Sequence, residues 1–247
     1  MRDRLQQSRI LKGIILLFLL ITSSTYATTY YSKASTNWSV ASTWSTVSCG
    51  GTAAVTVPTA SDDVIICAGH IVNINAASSC RSLTIQGTAN WTGTFTLAVG
   101  VGGLNIQSGG DITGTSNGIV TTTGGLVINA VLTSANVTIR TVTTAGQTIS
   151  GTGSLAKLDI SAATTNNATL TVRTSIASTV ASTLTQGSTA SLTYAGTTIT
   201  PTLDASASGN TVTYSGTTQT VKLSTYHHLI ISGSGAKTLG GAITVNG

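Results

Sequence analysis

Along this chain, apolar residues return in pairs separated by one outward residue: Leu83-Thr84-Ile85, Leu104-Asn105-Ile106, Leu126-Val127-Ile128, Leu170-Thr171-Val172, Leu192-Thr193-Tyr194 and Val212-Thr213-Tyr214. That alternation is the two-residue period of a strand with one buried face. The first members step by 21, 22, 44, 22 and 20 residues, and Ile149 fills the double step. A second series runs half a repeat away through Ile74, Phe95-Thr96-Leu97, Val137-Thr138-Ile139 and Leu158-Asp159-Ile160. A repeat of about 21 residues, holding two or more short strands and Gly/Ser/Asn turns, predicts one coil of a right-handed parallel β-helix. Each coil would stack on the next at about 4.8 Å, with the middle residue of each triplet facing water. A β-sandwich also uses short strands at close spacing, but it does not ordinarily hold a double period over six turns. The expected fold is therefore an all-β solenoid of about eight to nine coils over residues 62–247.

Residues 28–61 break the pattern. Tyr30, Tyr31, Trp38 and Trp44 lie there, and bulky rings at the first coil would plug an otherwise open core and edge. The same rings, with Trp91, could instead form a glycan-stacking platform, so the capping segment carries both readings. At the other end GSGAKTLGGAITVNG stops within a strand-and-turn pattern, without aromatics or a charged cap. From this the reading frame is expected to continue into further coils and a sorting or anchoring domain.

Residues 1–27 alter the picture of charge. Arg2, Arg4, Arg9 and Lys12 precede the apolar run Ile14–Ile21 and the small-residue site Thr25-Tyr26-Ala27, which is the layout of a secretory signal peptide. The run is about half of the roughly 20 apolar residues a membrane span needs, so no span is expected after cleavage. Removing this segment leaves seven basic residues against five acidic ones, a net charge of +2. The apparent basicity is largely the leader's, and it gives no ground for a nucleic-acid partner. Charged residues make up 7% of the chain and Glu is absent, whereas Thr supplies 49 of 247 positions. Positive mean hydropathy with so little charge excludes a disordered chain and favours strands.

The densest chemistry is SDDVIICAGHIVNI, residues 61–74, with Asp62, Asp63, Cys67 and His70. As part of a coil it reads as a turn whose carboxylates bond nearby amides, a strand, a Gly turn and a second strand. A carboxylate-pair hydrolase needs two acids facing each other across a sugar, and the other acids, Asp111, Asp159 and Asp204, are isolated. No enzyme activity and no cofactor are expected. Cys49, Cys67 and Cys80 predict one disulfide and one spare thiol in an exported protein, with the pairing open. Their separations of 18 and 13 do not suit zinc. Adjacent strand residues point to opposite faces, so His227 and His228 are not expected to converge on one ion. Thr-x-Thr triplets begin at Thr94, Thr141, Thr169, Thr183, Thr198 and Thr211, and their unequal spacing predicts that they scatter over several faces.

NWSVASTWST, VPTASDDVIICAGHIVNI and RSLTIQG together resemble the opening module of large adhesin-like β-helix proteins exported by bacteria through type IX secretion. The segment TVTYSGTTQTVKLSTYHHLIISGSGAKTLGGAITVNG is similar to their repeating units. The likeness spans most of residues 30–247 and departs at Cys67, where that family often has Pro. It implies a secreted or cell-surface protein with an adhesin-like or scaffold role, and it brings no catalytic residue with it. Extracellular polysaccharide or other surface proteins are the expected partners, and a carbohydrate-binding or polysaccharide-acting module is the alternative.

Overall fold

The computed structural model describes residues 27–142 and 146–247. The proposed leader thus lies outside the described residues except for Ala27. Parallel strands stack into a β-solenoid of about nine turns, and among the described residues the one helical element is the short turn Ala41–Thr43. Each coil contributes strands to three faces. In the second coil these carry Leu83 and Ile85, then Ala89 and Trp91, then Leu97 and Val99, all buried.

Register shows how the sequence builds the faces. On the first face Val64 pairs with Leu83, Leu83 with Leu104, Leu104 with Leu126 and Leu126 with Ile149. Each apolar position thus covers its predecessor and leaves the intervening residue outward, which is why Thr84 is half-exposed between buried Leu83 and Ile85. Full burial of each such aliphatic side chain contributes about 1.5–3 kcal/mol relative to exposure.

The coil length is not constant, and this corrects the two sequence series. Partners lie 23 residues apart at Leu126 and Ile149, but 17 apart at Ile149 and Asn166. A fixed step of 21 from Ile149 reaches Leu170, which has already turned onto the second face opposite Gly153. Leu192 and Val212 follow on that second face. In the other series Ile74 belongs to the second face beside Trp91, whereas Leu97, Ile139 and Leu158 belong to the third.

Several polar residues take inward positions that the pattern reserves for aliphatics, Asn166, Gln186 and Gln219 among them. Asn166 and Gln186 stack in register on the first face, fully buried, and Asn166 Nδ2 donates to Gln186 Oε1 at 2.8 Å. The need of a buried polar group for a partner is met for Asn166 by its counterpart one coil away, while Gln186 Nε2 has none among the described residues. Gln219 works similarly, donating to the carbonyls of Tyr194 at 3.0 Å and Gly196 at 2.6 Å.

The first coil is closed by a change of direction. Thr29–Ser32 pairs parallel with Asp63–Ile66 on one side and antiparallel with Trp44–Ser45 on the other. Trp38 and Trp44 fill the cross-section, with ring centroids 4.8 Å apart and Trp44 Nε1 donating to the Trp38 carbonyl at 2.9 Å.

Candidate functional surface

Residues 61–74 disperse into separate structural roles. Asp62 is buried and accepts from Thr59 N at 2.9 Å, Thr59 Oγ1 at 2.7 Å and Thr28 N at 3.3 Å, so it staples the turn to the chain's first strand. Asp63 does something else. Its carboxylate faces outward and pairs with the Arg81 guanidinium and the Ser82 hydroxyl of the next coil. His70 Nδ1 lies 2.9 Å from Ser32 Oγ and 3.0 Å from Ser32 O, while Ser32 Oγ accepts from Cys67 N at 2.8 Å. Ser32 is fully buried, which withholds its hydroxyl from any substrate.

Cys67 bonds Cys49 across a Cα–Cα distance of 6.0 Å, and this fixes the pairing that the sequence left open. Cys80 is the free thiol. It is buried, and burial together with the nearby Asp63 and Asp62 carboxylates pushes its pKa well above the ordinary thiol value. The thiolate that reactivity requires is therefore disfavoured. The remaining acids are also engaged: Asp159 with Arg140 Nε at 2.7 Å, Asp111 with Thr133 Oγ1 at 2.6 Å, and Asp204 with Ser206 Oγ at 2.7 Å. Among the described residues no three His, Cys, Asp or Glu side chains gather as a metal site.

The aromatic platform does not form as a surface. Trp38, Trp44 and Trp91 are at most 2% exposed and Tyr30 6%, so their ring faces are occupied by protein. Tyr31 alone of the five is half-exposed. Trp38 and Trp44 pack as the plug and Trp91 in the body of the solenoid, and a sugar could not stack on them without opening the core.

His227 and His228 are closer than strand alternation implies. Their rings meet edge to face with centroids 4.2 Å apart, because His227 precedes the strand His228–Ile231 and is not bound by its alternation. His227 Nε2 lies 3.1 Å from Ser208 Oγ.

The Thr-x-Thr triplets scatter over several faces as expected, Thr183 on the first, Thr169 and Thr211 on the second and Thr141 on the third, yet a regular hydroxyl array still forms. Thr152, Thr169, Ser191 and Thr211 stack in register on the second face, and Thr171, Thr193 and Thr213 stack beside them. Two of the six triplets, at Thr169 and Thr211, therefore share a face with Ser191-x-Thr193 between them. None of these seven hydroxyls has a hydrogen-bond partner among the described residues, so a regular polar array is free to meet solvent or a ligand. Arg173 flanks it, donating from Nη1 to Ser154 Oγ at 2.7 Å.

Earlier on the same face the sheet is interrupted. Ile71–Ile74, Thr88–Trp91 and Asp111–Gly114 form a three-stranded sheet, and the next coil contributes only a bridge at Val131. Shallow polar grooves of about 620 and 440 Å³ lie at the break. The larger is lined by Asn90, Thr113, Thr115, Thr133 and Ser134. An amide ladder leads into it: Asn73 Nδ2 donates to Asn37 Oδ1 at 3.2 Å, Asn90 Nδ2 to Asn73 Oδ1 at 2.9 Å and Thr113 Oγ1 to Asn90 Oδ1 at 3.0 Å. Sequence reasoning missed both features, since neither a file of hydroxyls nor an amide ladder is visible before the register is known.

No protein-family model, curated protein or solved structure matches this chain.

Proposed function

We propose that this chain is a non-enzymatic, secreted or cell-surface β-solenoid that acts as an adhesin-like structural scaffold. The observation that supports the reading most is the fate of its reactive groups. All five described carboxylates are engaged in hydrogen bonds or ion pairs within or between coils, as is His70, and the disulfide takes Cys67. A catalytic site needs an acid, base or nucleophile facing a space where substrate can sit. The leader-like sequence of residues 1–27 and the Cys49–Cys67 bond support export to an oxidising compartment. No helix among the described residues is long and apolar enough to cross a membrane.

Protease shaving and antibody labelling of intact cells test the location, and attachment assays with and without the gene test the role. An intracellular protein, or release of reducing sugar from acidic polysaccharides by the purified chain, would overturn the proposal.

A second reading, carbohydrate binding, draws support from the hydroxyl array and the polar grooves rather than from the aromatic residues. Sugar would be met by hydroxyls and amides, so the combined change Thr171→Val, Thr193→Val and Thr213→Val should abolish glycan retention without unfolding the chain. Retention unaffected by those changes, or no retention by the unmodified chain, would remove it.

A further inference from the structure

The interruption of the second face is a cleft with a defined hydrogen-bonding sense. The coil after Asp111–Gly114 does not complete the ladder: Ser134 N reaches the Ile112 carbonyl at 3.0 Å, but Thr133 N is drawn to the Asp111 carboxylate at 2.8 Å. The larger groove opens at this break, and its volume of about 620 Å³ falls within the range of small-ligand sites, about 300–1,000 Å³.

The hydroxyl hydrogens of Thr113 and Thr133 both point into the protein. Along the amide ladder Asn73 Nδ2 donates to Asn37, Asn90 Nδ2 to Asn73 and Thr113 Oγ1 to Asn90 at 3.0 Å, each bond directed towards the first coil. Thr113 has thereby given up its single hydrogen, and its lone pairs face the groove, strengthened as acceptors by the chain behind them. Thr133 Oγ1 repeats the arrangement by donating to Asp111 Oδ2 at 2.6 Å. Asp111 accepts two bonds from Thr133, whereas an ionised carboxylate has about four acceptor sites. The cleft presents acceptors and asks its ligand for donors.

Charge narrows the choice further. Neither groove is lined by Lys or Arg. Arg173 belongs to a later coil and commits Nη1 to Ser154 Oγ at 2.7 Å and Nη2 to the Leu132 carbonyl at 2.5 Å. An anion in the cleft would meet Asp111 with no cation to offset the repulsion. A flat apolar ligand finds no seat either, since Trp91, which lines the larger groove, is 1% exposed. An uncharged ligand rich in hydroxyl donors meets both conditions.

On the premise of the carbohydrate reading above, we propose that this cleft binds a short stretch of neutral saccharide and discriminates against acidic ones. Sugar hydroxyls donate to Thr113 Oγ1, Thr133 Oγ1 and the Asp111 carboxylate, and a uronic acid is repelled by Asp111. One cleft holds an oligosaccharide weakly. Retention of a polymer still needs the hydroxyl array of the following coils, which keeps the chain at high effective concentration.

Isothermal titration of the purified chain with cellotetraose and with tetragalacturonate tests this, beside retention on amorphous cellulose. Cellotetraose is expected to bind roughly tenfold more tightly than tetragalacturonate. Thr113→Val removes one acceptor while keeping the outline of a half-exposed side chain, and should weaken cellotetraose roughly tenfold without changing the circular dichroism. Asp111→Asn removes the repelling charge and should bring tetragalacturonate close to cellotetraose. Thr171→Val, Thr193→Val and Thr213→Val together should leave cellotetraose binding unchanged while abolishing retention on the polymer. Equal binding of the two tetramers, cellotetraose binding indifferent to both Thr113→Val and Asp111→Asn, or polymer retention without tetramer binding would overturn the cleft and leave the array standing. A chain that binds neither tetramer nor polymer would overturn both.

Discussion

The closed and open ends are built from the same coil, and their difference shows what a solenoid needs beyond its repeat. At residues 29–45 the chain abandons the repeat: a single 3-10 turn leads into a reversed strand and two indoles meet in the core. At residues 228–247 the repeat simply continues, and its inward side chains face solvent. Stacking supplies each coil with two neighbours, so a terminal coil has lost half its burial unless something replaces it. Here the replacement exists at the first coil, whereas residues 228–247 show the repeat without one.

The largest expected effect falls on the closed end. Trp44→Ala removes a fully buried indole and its bond to the Trp38 carbonyl, and should cost about 3–5 kcal/mol in chemical denaturation. Leu239→Ala in the 247-residue chain should cost less than about 0.5 kcal/mol, because Leu239 is 54% exposed there. Equal losses would erase the comparison.

The disulfide comes next. Cys49→Ser with Cys67→Ser opens a loop of sequence separation 18 and should cost about 3 kcal/mol by the chain-entropy argument. Retained stability after reduction would show that the plug alone closes that end.

In the body between the ends, Gly118→Ala tests close packing. A Cβ there would lie 1.9 Å from Trp91 Cδ1, and Trp91 is buried too deeply to move aside. A loss of about 1–3 kcal/mol is expected from overpacking.

The smallest effect is one of pH and sharpens the contrast from the open side. Burial raises the pKa of Tyr194, Tyr214 and Tyr226 above the ordinary value of about 10. A raised folded value stabilises the protein below the unfolded pKa, and that contribution is lost as pH climbs from about 10 towards the folded value. Alkaline titration should therefore loosen the coils around Tyr194–Tyr226 as pH climbs past about 10, in addition to the loss at the early coils that the raised, buried Cys80 thiol contributes. Tyr226→Phe should reduce that alkaline sensitivity, as followed by near-ultraviolet circular dichroism.

Much of this was legible in the sequence. Alternation in Leu83-Thr84-Ile85 and its successors gave strand, stacking and inward faces, and the aromatics of residues 30–44 gave the plug. Asp62 was readable as a turn staple because its partner Thr59 is local. Asp63 was not, since its partners Arg81 and Ser82 lie one coil away. The same distance hid the Asn166–Gln186 pair and the threonine files. Coil lengths between 17 and 23 residues preserve an average period while moving a given step onto another face, as happens between Ile149 and Leu170.

Hydrogen exchange followed residue by residue on the 247-residue chain tests the asymmetric solenoid most directly. The account predicts slow exchange from Thr29 through Tyr226, including the outermost strand Trp44–Ser45, with a fall in protection over His228–Val245 where strands pair on one side only. Fast exchange at Thr29–Ser45, or protection at residues 228–247 equal to that of the central coils, would contradict it.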